Sequence, residues 1–198
     1  MAVANSVITF DVKDCKVYKQ ITDPSGDNPM THDSAVDVPG IQEVSLEPNF
    51  ITNELKGDGG AVLAKKGKID RLNFSCTYSE LSLPVLSVLT GQTLTETDTG
   101  SDGLATMGLD DASLPYFMIA FLMDDLQHAS GDEPATVVCT LQKCQLTGGS
   151  LISGSTDSFS NPTFTAEAIL PYGLHAAVGS GGVRRMGDIE IAETAATL

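Results

Sequence analysis

Residues 41–78 read IQEVSLEPNFITNELKGDGGAVLAKKGKIDRLNFSCTY, and this stretch decides the fold. From Ile41 to Leu55, Val44, Leu46 and Phe50 are apolar while Glu43, Glu47 and Glu54 are polar, an alternation of strand type. Pro48 cannot donate to a ladder and marks a bulge or an edge. Lys56-Gly57-Asp58-Gly59-Gly60 reads as a flexible turn, because glycine reaches positive φ freely. Ala61 to Lys68 reads as a lysine-bearing loop, with Lys65, Lys66 and Lys68 placing three of the chain's eleven basic residues within four positions. Ile69 to Tyr78 returns to a strand, with Ile69, Leu72, Phe74, Cys76 and Tyr78 mostly at period two. Nothing in the stretch is catalytic equipment; it has the character of a surface that meets other copies of itself.

An apolar segment follows. Leu81, Val85, Val88 and Leu89 repeat at helical spacing. Pro84 lies too far in for a cap at Ser79, so Ser82 is the safer N-cap, and Gly91 takes the position after the end. Upstream, Ser6 to Ile21 alternates as a strand or pair of strands, and Thr22 to Pro39, with three prolines and four aspartates, reads as a loop. Downstream, Gln92 to Asp111 reads as an exposed polar loop. Tyr116 to Met123 (YFMIAFLM) has the length and continuous apolarity of a strand buried on both faces. Asp124 to Pro134 reads as an acidic turn, Ala135 to Leu146 as a strand, and Thr163 to Leu170 as another. The expected organisation is one domain over residues 1–178, followed by a flexible C-terminal arm over residues 179–198 that begins at the glycine run Gly179–Gly182.

The chain of 198 residues carries a net charge of −15. Such acidity argues against coating nucleic acid, which needs clustered Lys and Arg. Two readings stand: a charge that maintains solubility, or a surface that repels DNA sliding past it. No segment approaches the roughly 18 apolar residues of a membrane span. Met1 to Phe10 lacks the basic start and apolar core of a secretory leader, which predicts synthesis in a reducing cytoplasm with free thiols. Cys139 and Cys144, five apart in one strand, are expected on opposite faces, which argues against a local disulfide; the cysteines read as small half-buried core residues.

Chemistry is sparse. None of His32, His128 and His175 sits beside a serine or cysteine in a strand-turn-helix elbow, and there is no G-x-S-x-G. Gly67-Lys68 lacks the rest of a P-loop, because Val62 and Ile69 occupy the positions that need Gly and Ser or Thr. Asp110-Asp111 and Asp124-Asp125 do not follow EF-hand spacing. The expectation is a non-enzyme with no cofactor and no metal.

The order Asn53-Glu54-Leu55-Lys56-Gly57-Asp58, then Lys65–Lys68, then the strand Leu72–Tyr78, then Glu80-Leu81-Ser82-Leu83-Pro84-Val85-Leu86-Ser87-Val88-Leu89-Thr90-Gly91 resembles the major tail (tail tube) proteins of long-tailed bacteriophages. The match covers about a quarter of the chain. The resemblance implies a mainly β fold, a β-sandwich or barrel of the tail-tube type with one short flanking helix and long loops. It implies stacked hexameric rings forming a hollow tube in the virion tail, made in the host cytoplasm. Its partners would be further copies, the tape measure, the terminator and the tail tip, with DNA passing through the lumen without specific binding and no membrane insertion. The contact residues expected between subunits or rings are Glu54, Lys56, Asp58, Lys65, Lys66, Lys68, Arg184 and Arg185. For the lysine cluster and the arginine pair, an ordinary solvated surface is the competing reading. The competing functions are another ring-forming component such as a terminator, a secretion-tube protein, or an acidic β-sandwich that binds carbohydrate or a host surface. The last would present exposed aromatics, yet the chain has no tryptophan and four tyrosines.

Overall fold

A computed structural model describes residues 9–22, 30–97, 103–111, 113–130, 133–152, 154, 156, 161–171, 185–192 and 197–198. They form a mainly β, sandwich-like fold built on one strongly curled antiparallel sheet. In chain order its strands are β1 (Thr9–Thr22), β2 (Thr31–Asp37), β3 (Ile41–Lys56), β4 (Val62–Tyr78), β7 (Tyr116–Ser130), β8 (Glu133–Gly148), β9 (Thr163–Ala168) and β10 (Gly187–Ala192). A separate hairpin is made by β5 (Leu94–Thr97) and β6 (Leu104–Met107). The order across the main sheet is β2-β1-β7-β8-β9-β4-β3, with β10 also on β8. The sheet folds over until β3 packs against β1, and the Val38 N–H continues the β1–β2 ladder to the Cys15 carbonyl at 2.9 Å.

The two layers close on an aromatic centre. Phe74 of β4 lies 5.5 Å from Phe121 of β7 across the sandwich and 5.8 Å from Phe164 of β9 beside it, ring centre to ring centre. Tyr78 meets Phe164 edge-on at 6.1 Å. Tilted and edge-on pairs suit the ring quadrupoles and add to the burial of apolar area. Val17, Ile119, Leu141, Ala166 and Ala168 complete the interior. The single α-helix among the described residues, α1 (Leu83–Thr90), covers one part of it with Val85, Leu86, Val88 and Leu89. It begins as expected: the Ser82 hydroxyl accepts from the Val85 N–H and proline stands in the first turn. Gly91 ends it at φ 76, a left-handed conformation that costs glycine nothing.

Several expectations are corrected. The predicted loop Thr22–Pro39 contains β2, which pairs along β1 from Lys16–Asp37 to Thr22–Thr31; as a largely exposed edge strand it carries no apolar alternation to betray it. The polar stretch Gln92–Asp111 contains the β5–β6 hairpin. The acidic turn at 124–134 is mostly strand, since Asp124 and Asp125 pair with Thr136 and Ala135 on β8 and with Phe10 and Thr9 on β1. Tertiary pairing overrides the weak β propensity of aspartate there, and Lys13 Nζ lies 3.1 Å from the Asp124 carboxylate. Within the expected C-terminal arm, residues 187–192 form β10, paired along β8 from Gly187–Leu141 to Ala192–Thr136.

Cys139 and Cys144 also depart from expectation. Both point into the core, because β8 carries one extra residue against β7: Phe117 faces Cys144 and Ile119 faces Leu141. A bulge of this kind resets the alternation. All four cysteines are buried free thiols. Burial pushes Cys139 up to about 12, and it holds Cys144 higher still. Cys15, hydrogen-bonded to Cys76 across the layers and desolvated, is raised too. A thiol whose folded value exceeds its ordinary 9.0 keeps its proton where the unfolded chain has released it. Stability therefore falls as pH rises above that ordinary value and goes on falling towards about 12. The melting temperature is expected to be level from pH 7 to 8 and to drop above pH 9, and thiol-reactive dyes are expected to label only the unfolded protein at pH 8. Fast labelling of the folded protein would contradict the burial.

Candidate assembly interface

The hairpin of β3 and β4 runs far beyond the core. β4 is paired with β9 only over residues 72–77. Past that point, among the described residues, 49–56 and 62–69 pair only with each other, and every one of them is exposed. Eight residues of strand at about 3.3 Å each make an arm about 25 Å long. The Gly57 N–H donates to the Ala61 carbonyl and a single 3-10 turn, Asp58–Gly60, closes the tip. The segment expected as a lysine-bearing loop is thus in-register strand: Asn53 faces Lys66, Glu54 faces Lys65, and Ile51 faces Lys68.

A two-stranded hairpin without a packed face is marginal in water. This one is apolar as well. Phe50 is 62% exposed, Leu55 63% and Leu63 67%, with Ile51, Val62 and Ile69 also open. Their arrangement is ordered. On the face continuous with the core, buried Phe74 is followed outward by the pair Pro48–Leu72 and then by the pair Phe50–Ile69. The β4 bulge at Asp70 keeps Ile69 on that face. Full burial of one such side chain is worth about 1.5–3 kcal/mol, so the arm holds a strong drive to be covered.

Its charge is the second feature. Residues 50–69 hold four of the eleven basic residues and only two of the twenty-six acidic ones. The arm is positive on a chain of net charge −15. Six of the expected contact residues lie on it: Glu54, Lys56, Asp58, Lys65, Lys66 and Lys68. Among the described residues, Glu54 and Lys65 alone of these six join in an ion pair, at 3.5 Å; it is exposed and contributes little. Arg185 lies elsewhere, ahead of β10, where it pairs with Asp188 and borders a notch with Ile69, Leu72, Leu170, Met186 and Gly187 at the base of the arm. Arg184 lies outside the described residues. Sequence reading missed the apolar members Phe50, Leu55, Val62, Leu63 and Ile69. The signal was present in Val62-Leu63, an apolar pair next to a glycine turn where a solvated loop would have polar residues.

The opposite face of β3, β4, β9 and β8 is polar. Ser45, Glu47, Asn73, Ser75, Thr147, Thr165 and Glu167 line a shallow hollow there. Arg71 donates to Glu167 at 2.8 Å and to Asp70 at 3.1 Å, and both carboxylates raise its affinity for the proton. No exposed aromatic side chain lines this hollow, since Phe74 beneath it is buried. Among the described residues no His, Cys, Asp and Glu side chains gather as a metal site, and no helix is long and apolar enough to cross a membrane. No protein-family model matches the chain, and no curated protein matches it in sequence.

Proposed function

We propose that this chain is a structural subunit that assembles with copies of itself into stacked rings, as the tail tube of a long-tailed bacteriophage. The observation that carries the reading is the arm: a positively charged, apolar hairpin standing clear of the core of an acidic protein. Such a surface is costly in an isolated monomer and useful where neighbours cover it. The open edges of β3 and β10 are of the same kind, because a ring gives every edge strand a partner. The polar face with Glu47 suits a channel wall past which DNA slides without adhering. In this reading the subunit is made in the host cytoplasm and resides in the virion tail. It meets the tape measure, the terminator and the tail tip, with six subunits per ring. It has no catalytic role, no cofactor and no membrane segment.

Of the tyrosines that the carbohydrate-binding alternative would use, Tyr78 is buried and Tyr116 lies under Lys143 Nζ, 4.0 Å from the ring centre. Negative-stain electron microscopy of the concentrated protein tests the proposal. Hollow tubes or stacked rings are expected. Closed rings that never stack would replace the tube with a terminator. A monomer that stays monomeric at millimolar concentration, even with preformed tube ends added as seeds, would end the assembly reading.

A further inference from the structure

Between β3 and β10 the two layers of the sandwich part. Val44 and Leu46 of β3, Phe121 and Met123 of β7, Cys139 of β8 and Ile189 of β10 line an apolar groove at this opening. Ile189 stands directly opposite Cys139 in the β8–β10 register, so it shares the inward face with the core. It is nevertheless 67% exposed, while Cys139 is 2% exposed. The core is therefore unfinished here, and something apolar is needed to complete it.

The chain cannot reach this groove with its own arm. Leu46 and Leu55 lie on the same strand, nine residues apart, which is about 30 Å of extended backbone, and the arm leads away from the opening. A second copy has no such constraint. We propose that the arm tip of one copy seats Leu55, Val62 and Leu63 in the groove between β3 and β10 of the next. This rests on the assembly reading and adds to it the surface that receives the arm.

Charge favours the same match. Glu43 occupies an outward position of β3 and Glu190 an outward position of β10, as the registers with β4 and β8 require, while Asp188 is already paired with Arg185. The lips of the groove are thus acidic. The arm brings Lys56, Lys65 and Lys66 beside its apolar tip. An apolar centre ringed by opposite charges is the arrangement that gives an interface both affinity and register. Donor and receiver are different patches, so each copy gives an arm and takes one. The contact is head-to-tail and propagates, as a polymer requires.

Paired cysteines test it. Leu63→Cys and Ile189→Cys are prepared separately, one with a size tag, then mixed and treated with diamide, which takes the two electrons and two protons released as the disulfide forms. The native thiols are buried and stay silent. The mixture is expected to yield the tagged–untagged dimer at least tenfold above either variant alone. Polymers by microscopy without that dimer would overturn the groove as receiver and leave the assembly reading intact. Neither polymers nor dimer would remove both. Should either variant misfold by circular dichroism, a charge swap decides instead. Lys66→Glu is expected to lower assembly at least tenfold, and Glu190→Lys in the same chain is expected to restore it. A loss that Glu190→Lys does not relieve would overturn the proposal.

Discussion

Joining Thr52 to Gly67 through an Asn-Gly turn, with residues 53–66 removed, is expected to give a folded protein that no longer polymerises. Thr52 and Gly67 already face each other in the hairpin register, and a two-residue Asn-Gly loop is the connection that fits the twist of such a pair. The removed strand residues, 53–56 and 62–66, are exposed and belong to neither layer of the core. The shortened protein should therefore melt within a few degrees of the parent. Its sedimentation should be that of a single subunit at concentrations where the parent forms large particles. The comparison separates two roles that exposure alone leaves entangled. If polymers persist without the arm, assembly runs through the strand edges and the proposal for the arm falls. If the shortened protein fails to fold, the arm serves the core despite its exposure.

The second large effect belongs to the centre of the sandwich. Phe74→Ala is expected to destabilise the subunit by about 3–5 kcal/mol. Phe74 is 1% exposed and touches rings on both its own layer and the opposite one. Its removal leaves a cavity that neither layer can close without moving the other. Against stabilities of about 5–15 kcal/mol for typical domains, such a loss lowers the melting temperature by about 10 °C or more. Urea unfolding monitored by circular dichroism measures it directly. A loss near 1 kcal/mol would mean that Phe121 and Phe164 repack across the gap.

The strands that the sequence discloses are those in which one face meets the core. Phe74, Cys76 and Tyr78, or Phe164, Ala166 and Ala168, alternate because burial imposes period two. The continuous run at Tyr116–Met123 is legible because both of its faces are covered. Ser82 and Gly91 announce the helix through the chemistry of its ends. Strand β2 escapes because an exposed edge places no demand on its side chains, and aspartates at 124 and 125 hide a strand held by its neighbours. The β8 bulge is invisible for a different reason: an extra residue is defined only against the partner strand, so Cys144 cannot be assigned a face from β8 alone. The candidate interface was half legible. Its charges stood out against an acidic chain, but the core-face alternation of β3 carries on through Phe50, one pair beyond the covered core, before Thr52, Glu54 and Lys56 follow it. Nothing in Phe50 or Leu55 themselves says that the covering layer has ended.

The topology also sets an order of events during folding. Cys15 pairs with Phe121, and Leu72 pairs with Ala168, contacts about a hundred residues apart that form slowly. The β3–β4 hairpin is local and closes on the microsecond scale. While the core is incomplete, each chain therefore transiently displays an apolar hairpin, the kind of segment that draws unfolded chains into aggregates. Lys56, Lys65, Lys66 and Lys68 then act as gatekeepers, their mutual repulsion keeping hairpins of like charge apart. The acidic surface that attracts those lysines is assembled only when the sheet is complete, so adhesion is delayed until there is a folded partner to adhere to.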